Sequence, residues 1–345
     1  MTQTQNYGLV MVCAAGILSG SCAWPIKFIR CFRYEHWAFV SNLFALVLLP
    51  WCILLTCCPH APSALSHLPS LLLIKANLFT MAWGIANVLV GLCLVRIGFS
   101  LTIGLMMGIG LPIGVILPIL LHGTGVFANV PSLFSSAGTV ILIGVAGLLA
   151  AICFMTTAGF GRDRILQQQN MPHAGFVVGL LMIVFAGLLQ VGLSFAFVYT
   201  QADIVKALQQ EGAGNFVAIV GVWAIALPGG ALVNILYPAW LLTCRRSWGE
   251  FTCNVTEIGL SLLMGAMFFS SVVLNGLGMR SLGPLGASVG FAVYQAFMMA
   301  ASQGIAFVHG EWHGITGSPR RQIYTALVIT FLAVCIMAYG NSLAH

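Results

Sequence analysis

Leu94-Val95-Arg96-Ile97-Gly98, followed by Gly104-x-x-x-Gly108, has a counterpart far down the chain in Gly278-Met279-Arg280-Ser281-Leu282-Gly283, followed by Gly286-x-x-x-Gly290. The two glycine pairs lie 182 positions apart and the two arginines 184, just over half of the 345 residues. A small-xxx-small pair lets helix backbones approach closely in lipid and is common in membrane bundles. Its recurrence at matching places is what points to an internal duplication. The surroundings of both stretches are apolar, as is the whole chain: 60% of residues are hydrophobic, 6% are charged and the mean hydropathy is +1.02. A soluble domain carries about 25% charged residues. The shortfall removes the solvated surface such a domain needs, and disorder would require low hydrophobicity. The chain therefore reads as an all-α membrane protein.

At about 20 apolar residues per span, the chain divides into ten runs: 7–29, 36–58, 69–95, 97–121, 135–160, 173–200, 215–243, 257–279, 282–308 and 322–341. The polar stretches 161–172, 201–214, 244–256 and 309–321 are each too short to bury a core of their own. A β-barrel would alternate apolar with polar over short segments, and these runs are continuous. The first basic residue, Lys27, follows the first run, so that run reads as a retained helix and not as a cleavable signal. The eleven cysteines include no CxxC pair and fall mostly inside spans, so neither a disulfide frame nor a metal site is expected.

Numbering the connections along the chain, the odd ones hold Lys27, Arg30 and Arg33; Arg96; Arg162 and Arg164; Arg245 and Arg246; and Arg320 and Arg321, which is ten of the 13 basic residues. Lys75, Lys206 and Arg280 fall on the other side. Lys and Arg accumulate in cytoplasmic loops, which puts the odd connections inside and both termini on the periplasmic side. The formal charge of +6 is thereby explained by topology and calls for no nucleic acid. In this orientation the sequon Asn254-Val255-Thr256 is cytoplasmic and unused. Residues 1–160 form a first five-helix repeat, 161–172 a cytoplasmic linker and 173–345 a second repeat. An odd number of spans per repeat inverts the second relative to the first, and inverted repeats place a substrate site near the bilayer midplane. Pro112, Pro118, Pro228 and Pro284 loosen the spans locally. The architecture points to a carrier.

Polar residues in mid-span are few: Asn42, Asn87, Gln190, Ser194, Asn234, Ser271, Asn275, Tyr294 and Gln295, accompanied by Trp24, Trp83 and Trp223. Trp83, Asn87 and Gly91 share one helical face, and the arginine offset pairs Asn87 with Ser271 and Gly91 with Asn275. Taken singly, each amide or hydroxyl reads as interhelical glue worth about 0.6 kcal/mol. Taken as a set, neutral donors and acceptors beside tryptophan rings suit an uncharged polyhydroxylated ligand. All seven acids, Glu35, Asp163, Asp203, Glu211, Glu250, Glu257 and Glu311, sit in connections or near helix ends, which disfavours a cationic substrate. Lys27 and Glu257 are the ionisable groups best placed for coupling, although Lys27 reads first as a topological anchor. His122, His173 and His309 lie near span ends, where interfacial packing is the first reading and a coupling role the second. An intramembrane zinc protease would need His-Glu-x-x-His and an aspartyl type paired mid-span Asp residues. Neither is present, so the chain is not read as an enzyme and needs no cofactor.

Trp24-Pro25-Ile26-Lys27, Leu49-Pro50-Trp51, Trp83-Gly84-Ile85-Ala86-Asn87 with Gly91-Leu92, Gly192-Leu193-Ser194-Phe195-Ala196, Gly229-Gly230-Ala231-Leu232-Val233-Asn234 and Glu311-Trp312 before Arg320-Arg321 together resemble the L-rhamnose/proton symporter family, within the drug/metabolite transporter superfamily. The resemblance runs collinearly over nearly the whole chain. It implies ten helices in a five-plus-five inverted repeat, outward termini, and uptake of a deoxy-sugar with protons through a bacterial inner membrane. It marks Trp83, Asn87 and Asn234 as the leading substrate-binding residues; Ser271, Asn275, Trp24, Gln190, Tyr294 and Gln295 join them from the reading of mid-span polar and aromatic groups, and Ser271 and Asn275 stand where the family pattern leads one to expect other polar or aromatic groups. Where the family pattern leads one to expect an acid early in span nine, this chain reads Pro284-Leu285-Gly286-Ala287. The alternative on the same fold is an exporter or exchanger of another small polar metabolite. The superfamily analogy would put a homodimer contact on spans five and ten.

Overall fold

The structure, a computed structural model, describes residues 3–97, 99–128, 130–165, 176–252 and 255–343, without the side chains of residues 94–97, 99–101, 163, 176 and 284. His173, Asn254 and residues 166–172 of the expected linker lie outside the described residues, as do the side chains of Arg96, Asp163 and Pro284. The described residues are helical, without strands. Among the described residues nine helices are long and apolar enough to cross a membrane: Gln3–Phe28, Tyr34–Cys57, Ser70–Cys93, Thr102–Leu120, Ser136–Arg162, Val177–Gln210, Val255–Ser281, Gly286–Val308 and Ser318–Ser342. A bent pair, Asn215–Ala226 with Pro228–Cys244, makes up a tenth. In chain order these are spans one to ten, the bent pair being span seven, and each falls on one of the ten expected runs.

Two spans run further than their hydropathy. The stretch after 200, expected as a connection, stays helical to Gln210, because Ile204, Val205 and Leu208 extend the buried face while Asp203 and Lys206 point outward. The helix of span five continues to Ile165, so the start of the expected linker is its last turn. Arg162 and Arg164 there complement the negative end of the helix dipole. Proline shapes other spans. Pro50 has no N–H to donate, and just before it Phe44–Leu48 widen into a π turn in which the Leu49 N–H bonds the Phe44 carbonyl.

The chain packs as two units, each drawing on both halves of the sequence. The first comprises Met1–Ile17, Leu89–Val191 and Gly278–His345; the second comprises Leu18–Val88 and Gly192–Leu277. In the first unit, spans five and ten pack side by side, with Gly144 against Met337, Gly147 against Ala333 and Gly340 against Ile141. Gly8 and Gly16 of span one lie against the Gly278–Leu282 backbone and against Tyr294 and Phe297. Three glycines of the repeated pairs make close contacts: Gly104 abuts Thr156, and Gly286 and Gly290 abut Met279. Gly108 departs from the expected close-packing role, for a Cβ there would meet nothing within 4 Å.

In the second unit, span seven packs against spans two, three and six. Its end is tied to the start of span two by ions: Arg245 Nη1 reaches the buried Glu35 at 2.8 Å, and His36 Nε2 lies 3.1 Å from the Ser247 carbonyl and 3.2 Å from Glu250. His36 Nδ1 accepts the Arg33 N–H at 3.3 Å.

Candidate functional site

The site is built on the break in span seven. Pro228 follows Leu227 between the two halves, which meet at 55°. An unbroken helix would bond the 229 N–H to the 225 carbonyl and the 230 N–H to the 226 carbonyl. Here span three inserts a side chain into each of those bonds. Asn77 Oδ1 accepts the Gly229 N–H at 2.7 Å, while Asn77 Nδ2 donates to the Ile225 carbonyl at 3.1 Å. Thr80 Oγ1 accepts the Gly230 N–H at 3.2 Å and donates to the Ala226 carbonyl. On either side the ordinary pattern resumes, with Leu227 N–H bonded to Trp223 and Ala231 N–H to Leu227. Side chains re-satisfying freed backbone groups are what makes a proline-broken span tolerable away from water.

The glycines set how close the two spans come. A Cβ on Gly229 would overlap the Asn77 carbonyl oxygen, and one on Gly84 would stand 2.9 Å from the Gly230 carbonyl. Gly230 also leaves room for Trp83, whose six-membered ring would be 2.9 Å from a Cβ there. Trp83 is 7% exposed and stacks on Phe268 of span eight, with ring centroids 5.8 Å apart and planes 8° from parallel.

One turn beyond Trp83 the amides meet. Asn87 Nδ2 donates to Asn234 Oδ1 at 3.3 Å, Asn234 Nδ2 donates to the Gly230 carbonyl at 2.9 Å, and Asn42 Nδ2 from span two donates to the Asn234 carbonyl at 3.2 Å. Asn234 is buried and Asn87 only partly so. The three leading residues, Trp83, Asn87 and Asn234, are thus brought together. Ser271 and Asn275 are buried on span eight, and Asn275 Oδ1 has no hydrogen-bond partner among the described residues. With Phe268 against Trp83, the polar stripes of spans three and eight lie on helices that touch.

The remaining candidates are distributed differently. Trp24 and Lys27 are exposed on the short helix Trp24–Phe28 at the end of span one, where Trp24 meets Phe28 edge-on at 5.7 Å. Glu257, in the first turn of span eight, is buried and accepts the backbone N–H groups of Arg30 at 3.0 Å, Cys31 at 2.9 Å and Phe32 at 2.6 Å. It fixes the connection between spans one and two. Gln190, Tyr294 and Gln295 belong to the first unit. Gln295 Nε2 lies 3.4 Å from Met107 Sδ, Tyr294 is buried, and Gln190 Oε1 is buried without a hydrogen-bond partner among the described residues. Among the described residues no group of His, Cys, Asp and Glu is arranged to hold a metal.

Sequence reasoning passed over Asn77, Thr80 and Phe268. A signal for the first two was present: Pro228-Gly229-Gly230 inside an apolar run frees backbone groups, and those groups need polar partners on a neighbouring span.

A multi-pass helical bundle with a broken, amide-lined span is an architecture that membrane transport proteins use. The chain belongs to the L-rhamnose-proton symport protein family (RhaT), whose model matches residues 6–344. It is 22% identical over 342 residues to the L-rhamnose-proton symporter of Pectobacterium carotovorum subsp. carotovorum, covering 94% of this chain and 95% of the relative. It is 23% identical over 338 residues to the L-rhamnose-proton symporters of Yersinia pestis and Yersinia pseudotuberculosis, with the same coverage. The family inferred from short motifs is the family found.

Proposed function

We propose that this protein carries a small neutral deoxy-sugar, L-rhamnose or a close relative, into the cell together with protons by alternating access. The observation that carries the reading is the family match over residues 6–344. The geometry of the second unit supports it. Asn87, Asn234 and the free Oδ1 of Asn275 supply donors and acceptors for ring hydroxyls, with Ser271 beside them, and Trp83 backed by Phe268 supplies an aromatic wall for the apolar face of the sugar. The Asn87 to Asn234 bond engages the Asn87 amide N–H and the Asn234 oxygen before ligand arrives, so binding at these atoms exchanges one hydrogen bond for another. Trp24, Gln190, Tyr294 and Gln295 are kept in the proposed set as polar and aromatic groups of their own spans.

Glu257 is the proposed coupling group, in preference to the exposed Lys27. Its carboxylate holds three backbone N–H groups, and protonation weakens those bonds and releases residues 30–32. The finer architecture is proposed as well: five-plus-five inverted repeats at 1–160 and 173–345, a drug/metabolite transporter fold and periplasmic termini in a bacterial inner membrane. Ten spans support it, as do the unit boundaries, which fall after Ile17 and Val88 in the first half and after Val191 and Leu277 in the second.

Uptake of labelled L-rhamnose into proteoliposomes, with and without an inwardly directed proton gradient, tests the reading. The expected result is gradient-driven accumulation that Asn87→Ala and Asn234→Ala weaken and Glu257→Gln uncouples. Absence of sugar-dependent flux at millimolar rhamnose would remove the sugar. Equal flux with and without the gradient would remove the symport.

A further inference from the structure

A second polar recess lies in the first unit, away from every residue assigned above. The last turns of span five and the first turn of span ten enclose an open groove of about 440 Å³. Its floor is tight, because Gly161 lies directly against the ring of Pro319. Its polar lining is Arg164, Ser318, Gln322 and Thr157, whose hydroxyl bonds its own helix at the Cys153 and Phe154 carbonyls, and no described acidic side chain lines it.

The basic residues at this end are not equivalent. Arg162 bonds Glu311 at 3.3 Å and lies over the Trp312 ring at 5.5 Å, and Arg320 bonds the Tyr324 hydroxyl at 3.3 Å. Arg164 makes no ion pair or hydrogen bond among the described residues and is exposed in the groove. A guanidinium, a hydroxyl and a carboxamide lining one groove with no described acid among them form a donor-rich set suited to an anion with several oxygens. The negative end of the span five dipole and the positive end of the span ten dipole both border the groove and offset one another, so the guanidinium of Arg164 supplies its charge. Along the stripe of span five that carries Thr157, Gly161 and Arg164, the next position is Phe154, which is exposed. The recess is thus polar at the helix ends and apolar one turn further into the span.

We propose that this groove binds the phosphate of an anionic phospholipid, with the acyl chains lying along the Phe154 stripe. A soluble phosphate would satisfy the donors and leave the apolar stripe uncovered. A second copy of the chain docked on the same face would bring Arg164 and its basic neighbours against their own image, which like charges oppose.

Full-length protein in a nonionic detergent is titrated with phosphatidylglycerol, phosphatidylcholine or inorganic phosphate, and bound lipid is counted by native mass spectrometry. Retention of phosphatidylglycerol over phosphatidylcholine is expected, with no displacement by inorganic phosphate at equal concentration. Arg164→Gln should weaken phosphatidylglycerol retention about fivefold, the effect of one cation at a lipid surface, while Arg321→Gln, outside the lining, should leave it within twofold by the same measure. Both arginines are exposed, so the variants keep the fold; a matching thermal midpoint checks this. Equal retention of both lipids, equal loss in both variants, displacement by inorganic phosphate, or a dimer that excludes lipid from the groove would each overturn the proposal.

Discussion

Span seven and the pairing of spans five and ten meet opposite demands. Span seven is broken, and its stability is a matter of hydrogen bonds: Asn77 and Thr80 stand in for the two backbone bonds lost around Pro228. Spans five and ten are unbroken, and their contact is one of shape, with Gly144, Gly147 and Gly340 receiving Met337, Ala333 and Ile141. Thr330, buried and facing Leu148, Ala151 and Ile152 of span five, spends its hydroxyl on its own helix at the Ala326 carbonyl. Hydrogen bonds can be exchanged one for another as a helix tilts, whereas interdigitated side chains must separate before they slide. The expectation is that span seven changes its contacts during transport more readily than the pairing of spans five and ten.

The sharpest way to break this contrast is Asn77→Leu, which leaves the Gly229 N–H and the Ile225 carbonyl without partners. At about 1 to 3 kcal/mol for each unsatisfied buried group, the loss is comparable with the whole stability of many domains, and both folded yield and uptake should collapse. A variant with wild-type thermal midpoint would show that the break holds itself together. Thr80→Val removes the second pair of bonds at nearly constant volume and should cost less, because the remaining Asn77 clasp keeps the halves of span seven in place. Thr80→Ser, which restores the hydroxyl, should recover most of the lost midpoint. Equal behaviour of the valine and serine variants would mean that the methyl group, not the hydroxyl, matters.

On the other side, Gly147→Leu forces a side chain into the contact with Ala333. Overpacking of this kind costs about 1 to 3 kcal/mol. The expected signature is a lower thermal midpoint with an unchanged KM for sugar in the protein that remains folded. A changed KM with an unchanged midpoint would reverse the roles given to the two regions.

The sequence made the spans legible because composition alone decides them: a run of apolar residues in a chain with 6% charge has nowhere to go but lipid. Trp83, Asn87 and Asn234 were legible through motif positions, and the structure supplies the physical reason those motifs carry glycine, since Gly84, Gly229 and Gly230 bring spans three and seven close enough for the amides to meet. Asn77 and Thr80 were not singled out because their role depends on a break about 150 residues away, and the hold of Glu257 on residues 30–32 was not legible because those backbone partners lie 225 to 227 positions upstream. Pairings at that distance are set by packing, which no local spacing encodes. The end of span six was missed for a related reason: exposed Asp203 and Lys206 ended the apolar run, while Ile204, Val205 and Leu208 kept the helix buried on one side.

The smallest expected effect tests whether the repeated glycine pairs act as pairs. In the first pair, a methyl on Gly104 would collide with Thr156, while a methyl on Gly108 would meet nothing within 4 Å. Gly108→Ala should therefore gain about 0.5 to 1 kcal/mol from the lower helix cost of alanine, raising the thermal midpoint slightly. Gly104→Ala should lower it, unless Thr156 gives up the bond that its hydroxyl makes to the Ile152 carbonyl at 2.8 Å and turns away. If uptake falls in Gly108→Ala although stability rises, the open space beside Gly108 is used in a part of the cycle with different packing. If both variants lose stability equally, the pair works as a unit and the open space is filled by a neighbouring helix.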